Sequence, residues 1–228
     1  MRKVAIALLL IAGLATPAMA DQVKLLQGPY PGGTGGGEFT VQVYDNPAWL
    51  DLTDYDVKTK NLLAEPVPTF QTFCIDEQES IALNGIYNAI VNTDAVKGGE
   101  ATSDPLSVGT GYLYSQFAGG TLVGYAYSGE ARKTSARDLQ DALWYLEGTQ
   151  GQTINAFYTN LLTNIFGSLE NAMKDGGWKY GVYALNLTDA RGAYAQDVLY
   201  YAPDGGATLM LLGGALIGLG ALRRKLGR

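Results

Sequence analysis

Apolar and polar positions change period along this 228-residue chain, and the changes mark out its elements. FTVQVY, from Phe39 to Tyr44, alternates with period two and predicts a strand. The stretch from Thr69 through Cys74 to Asp76 nearly alternates too and predicts a half-buried strand. In SIALNGIYNAIV, Asn84-Gly85 separates two apolar runs and predicts a hairpin, because both residues tolerate the positive φ of a type I′ turn. Thr93 to Pro105 reads as a loop, and Leu106 to Phe117 as a short amphipathic helix carrying Gly109 and Gly111. Thr121 to Gly129 reads as a strand or a loop.

From Ser135 the period lengthens to that of a helix. Leu139, Ala142, Leu143 and Leu146 form the apolar stripe, Ser135 and Asp138 resemble a capping box, and Gly148 is a stop. Gln140 and Trp144 lie one turn apart on a neighbouring face. Ile154, Phe157, Leu161, Ile165, Leu169 and Met173 predict a second helix from Thr153 to about Lys174, ended by Gly176-Gly177. Trp178 to Leu187 and Tyr194 to Tyr201 predict two closing strands around a turn at Arg191-Gly192. The expected fold is mainly β with an α-helical insertion: a β-sandwich or barrel-like ectodomain plus a helical part.

The two ends read as addresses. Residues 1–20 have a basic start, an apolar stretch and Ala18-Met19-Ala20, the pattern of a secretory signal peptide cut after Ala20. Residues 203–228 begin Pro203-Asp204-Gly205-Gly206, continue as an apolar run from Ala207 to Leu222, and end in a basic cluster at Arg223, Arg224 and Lys225. As a helix that run spans about 24 Å, short of the roughly 30 Å bilayer core, so it predicts a minimal C-terminal membrane anchor. The basic cluster predicts a cytoplasmic end, with the 21–202 ectodomain outside the inner membrane.

Charge narrows the partners. Residues 21–204 hold 22 acidic and 10 basic side chains, a net of −12, which argues against nucleic acid and anionic lipid. The chain has no histidine and one cysteine, so His-based triads, His metal sites, zinc fingers and intramolecular disulfides are excluded. No cofactor is expected. The glycine-rich stretch from Gly28 to Phe39 lacks the Gly-Lys-Ser/Thr ending of a phosphate-binding loop and reads as a flexible turn. Two acidic clusters, Asp51, Asp54 and Asp56, and Asp76, Glu77 and Glu79, read as solvated surface. Using them as a glycosidase pair would require two acids facing across a cleft.

Catalysis, if any, must then run on carboxylates, Lys, Tyr or the one thiol, Cys74. A thiol and a glutamine carboxamide held together in a dry site can form an internal thioester with loss of ammonia, and Trp144 is placed to shield a Cys74–Gln140 bond. From the residues alone, the favoured reading is a buried inert cysteine and an ordinary helix bearing a surface glutamine.

Phe73-Cys74-Ile75-Asp76 and Gln140-Asp141-Ala142-Leu143-Trp144 resemble, in order and spacing, the two signatures of the thioester domains of bacterial surface adhesins. That family's second motif is Thr-Gln-x-Ala-Ile-Trp, and here Leu139 and Leu143 stand at its Thr and Ile positions. The resemblance implies a β-rich domain with a helical insertion, a Cys74–Gln140 bond and non-enzymatic covalent capture of a nucleophile on a protein or polysaccharide surface. The tail resembles a PEP-CTERM-type sorting signal of the Val-Pro-Asp variant, with Ala202 in place of Val. This implies exosortase processing, display on a Gram-negative envelope and a link to exopolysaccharide and biofilm. The alternative function is a non-catalytic structural or carbohydrate-binding envelope protein with Cys74 inert. Deleting residues 207–228 should release the protein to the periplasm or medium; cell fractionation and immunoblotting check this.

Overall fold

The computed structural model describes residues 21–31, 36–44, 47–75, 77, 79–96 and 103–203. The stretches read as a signal peptide ending at Ala20 and as an anchor, with Asp204-Gly205-Gly206 and Asp76, lie outside the described residues. Among those described, no helix is long and apolar enough to cross a membrane.

The fold is mainly β with a few helices. Six antiparallel strands form one sheet: β1 (Asp21–Gln27), β2 (Phe39–Val43), β3 (Thr69–Thr72), β4 (Ile86–Asn92), β7 (Val182–Thr188) and β8 (Tyr194–Tyr201). Their spatial order is β3-β2-β1-β4-β7-β8. The sheet closes on itself, because Phe73 to Ile75 continue β3 and meet β8: Leu199 N–H donates to Phe73 C=O at 3.2 Å and Ile75 N–H to Asp197 C=O at 3.0 Å. Cys74 stands opposite Val198 between these two bonds. Of the two anticipated architectures, the barrel is the one formed.

Alternation along the strands builds two cores. Val23, Leu25, Val41, Phe70, Tyr87, Leu185, Val198 and Tyr200 fill one. Phe73, Ile75, Val182, Ala184 and Leu199 face the other, shared with the helices. β7 is buried at six consecutive positions because it borders both cores. The same double cover buries Cys74 completely, where the sequence pattern predicts half-burial.

The helical part is inserted between the short pair β5 (Asp94–Ala95) and β6 (Asp104–Pro105) and strand β7. It comprises α1 (Val108–Ala118), α2 (Ala131–Leu146), α3 (Ala156–Phe166) and α4 (Leu169–Ala172). α1 is not amphipathic. Gly109 and Gly111 are buried contact points, and a Cβ on Gly111 would come within 2.6 Å of Gly177 C=O. α2 starts four residues before the proposed cap, and Ser135 instead accepts a hydrogen bond from Ala126 N–H at 3.1 Å. The long second helix is broken at Gly167, which adopts φ 82°, and Ser168 caps a new turn. β4 has no hairpin arm before Asn84: the Tyr87 hydroxyl engages Ala82 N–H and C=O, taking up hydrogen bonds a strand would have used. Residues 121–129 form turns, and Gly177–Tyr180 form a 3-10 turn before β7.

Glu147 ties α2 to α1, accepting from Ser107 N–H at 3.2 Å. Burial pushes its carboxyl up to about 7, against the hydrogen bonds from Ser107. The folded state thus keeps a proton that the unfolded chain has already released, so stability falls as pH rises from about 4.5 to about 7. Glu147→Gln should remove this loss and stabilise the protein by about 1–3 kcal/mol at pH 8, with little gain at pH 4. Urea unfolding at the two pH values measures the difference.

Candidate functional site

The strand that closes the barrel creates the site. At position 74 the main chain faces away from β8, since the hydrogen bonds to β8 are made by its neighbours, Phe73 and Ile75. The Gln140 side chain reaches this edge from α2. Cys74 N–H donates to Gln140 Oε1 at 3.1 Å, and Gln140 Nε2 donates to Cys74 C=O at 2.8 Å. Gln140 is 1 % exposed and Cys74 0 %. The proposed pair, 66 positions apart, is thereby brought together, and burial pushes the Cys74 thiol well above its ordinary range.

The glycine-rich stretch supplies the cover, a role missed when it is read as a flexible turn. Gly37 N–H donates to the same Gln140 Oε1 at 3.2 Å. Gly36 lies on the Trp144 ring, where a Cβ would come within 2.4 Å of the ring and 2.8 Å of Gln140 Cγ. Gly37 has φ 121°, a conformation that L side chains rarely adopt. Both positions demand glycine for different reasons. Trp144 is 5 % exposed, and its indole Nε1 is buried without a hydrogen-bond partner.

Glu38 fixes the next residue. It forms a buried bidentate pair with Arg132: Nη2 to Oε1 at 2.6 Å and Nε to Oε2 at 2.9 Å. The Tyr125 hydroxyl adds a bond to Glu38 at 2.8 Å, and Arg132 also donates to Tyr127 and Lys58 carbonyls. The Arg132 guanidinium lies over the Tyr30 ring, 4.5 Å from its centroid. Burial raises the Glu38 carboxyl, and Arg132 pulls it back down. The signal for this pair in the sequence was slight: one acid abutting β2 and one arginine at the start of α2.

A cleft of about 370 Å³ is lined by Gly36 together with Glu38, Phe39, Glu77 and Ile81 among others. The acidic clusters bring together no metal-ligating group among the described residues. Asp51 and Asp56 instead accept hydrogen bonds from Thr53 and Lys58 N–H, two residues on, as turn formers.

Strand β8 ends against the tail. Ala202 N–H donates to Gly181 C=O at 2.8 Å, and Pro203 packs on Gly181. The sequence that leaves the barrel here decides the class of the tail. Residues 203–226 match the VPDSG-CTERM motif. This sorting signal marks an exported protein of the cell envelope, and such motifs are generally processed by an exosortase. No curated protein and no solved structure matches the chain.

Trp144→Ala should cost about 3–5 kcal/mol of stability, since a nearly buried ring leaves a large cavity. Gly36→Ala should destabilise the wild type more than it destabilises the Trp144→Ala variant, because the closest clash is with the ring. Denaturant unfolding of the four proteins gives the coupling.

Proposed function

We propose that residues 21–202 are a thioester-type adhesion domain in which Cys74 and Gln140 form an internal bond that captures nucleophiles on an extracellular protein or polysaccharide surface. The observation that carries this reading is the dry juxtaposition of the Gln140 carboxamide with Cys74, under the cover of Trp144 and the Gly36-Gly37 segment.

The chemistry is compact. The Cys74 sulfur adds to Gln140 Cδ, the thiol proton passes to Nε2, the C–N bond breaks and ammonia leaves. An incoming amine later adds to the same carbon and displaces the thiol. The protein then carries its target on residue 140, in a single turnover. Residues 207–222 hold the precursor in the inner membrane of a Gram-negative cell until an exosortase acts at the tail, and export puts the domain where its targets are.

Intact mass of freshly secreted protein tests the bond. The mature chain should weigh one ammonia less than its sequence and resist thiol reagents, and methylamine should add to Gln140 while freeing the thiol. Cys74→Ala and Gln140→Ala should each restore the full sequence mass and abolish methylamine uptake. Fresh protein with a full sequence mass and an intact Gln140 refutes the reading and leaves an envelope protein with an inert thiol.

A further inference from the structure

We propose, building on the thioester reading, that Gly37 N–H and Cys74 N–H together form an oxyanion hole for both the formation and the opening of the bond. Two main-chain donors converge on Gln140 Oε1, at 3.2 Å from Gly37 and 3.1 Å from Cys74. These distances belong to a neutral carbonyl, and they shorten as the oxygen gains charge. When sulfur adds to Cδ, the carbonyl electron pair moves onto Oε1, where both donors already point. As the C–N bond breaks the pair returns, the thiol proton having passed to the departing nitrogen. Nε2 is held by Cys74 C=O at 2.8 Å, so the oxygen and the leaving group are both oriented by the nucleophile's own residue. Aminolysis passes through a tetrahedral carbon with the same oxygen in the same place.

The Gly37 amide is positioned from both sides. On one side Gly36 is pressed against Trp144, and on the other Glu38 is locked to Arg132 in the buried pair. Gly37 itself takes φ 121°, which a side chain would strain. The segment is therefore more than a cover. Covering and catalysing make opposite predictions: a loosened cover admits methylamine and speeds opening, whereas a lost oxyanion donor slows it.

The test replaces Gly37 with glycolic acid, an amide-to-ester change that removes the N–H and adds no Cβ. Gly37→Ala is made alongside it. Methylamine opening of the full mature chain is followed by intact mass and thiol titration, with folding checked by thermal melting. The ester should open about 10²–10³-fold more slowly than the wild type. A folded ester variant with a free thiol and intact Gln140 also supports the proposal, because formation has been slowed instead. Opening at the wild-type rate or faster, with the bond present, overturns the oxyanion role and leaves the thioester standing. A wild type that never carries the bond overturns both.

Discussion

The closure of the barrel between Phe73–Ile75 and β8 is the constraint from which the site follows. In an antiparallel pair, alternate residues turn their N–H and C=O away from the partner strand. At a sheet edge those groups meet water, but Cys74 is wholly buried. An unpaired buried donor and acceptor carry a heavy desolvation penalty, so something must satisfy them. Gln140 has one acceptor and one donor at the right separation, and it satisfies both groups at once. Packing thus sets the carboxamide against the main chain of the residue that carries the thiol.

The Glu38–Arg132 pair answers a second constraint. A bend that runs over a tryptophan ring through two glycines has little to hold it in place by itself. Burying two charges is costly unless every donor and acceptor is used, and here both carboxylate oxygens and all three guanidinium nitrogens are engaged. Such a pair adds less stability than it adds definition: it joins the start of β2, the start of α2 and the 57–59 turn in a single geometry.

The sequence was most legible in its apolar runs. β8 lies at Tyr194–Tyr201, as the sequence indicates, and the strands-helices-strands order holds. It was least legible where burial comes from two sides. α1 shows no apolar stripe because both its faces are covered, and its buried glycines serve contact with Gly177. The long helical period through Thr153–Lys174 carried no mark of the break except Gly167, which also fits a helix interior. Cys74, Gln140 and Trp144 were singled out by a motif resemblance, since residue types and spacing alone favoured an inert cysteine. Gly37 was not, since the worth of a glycine amide lies in φ and in a partner 103 positions away. Carboxylates such as Asp51 and Asp56, conspicuous as charge, proved to be turn formers.

The length of chain that the barrel must gather has a consequence for the order of events in the cell. Thr72 and Leu199, joined by a 2.6 Å hydrogen bond at the closure, are 127 positions apart. Contacts of such long range form late, after local helices and hairpins. A chain made from its N-terminus delivers β8 last, immediately before the sorting motif. Until then Cys74 has neither its opposite strand nor its cover, and it waits as an ordinary accessible thiol. A chain with one cysteine has no internal partner with which to mispair during that interval. The surroundings of Cys74 are therefore complete only when the last strand has joined the first part of the sheet.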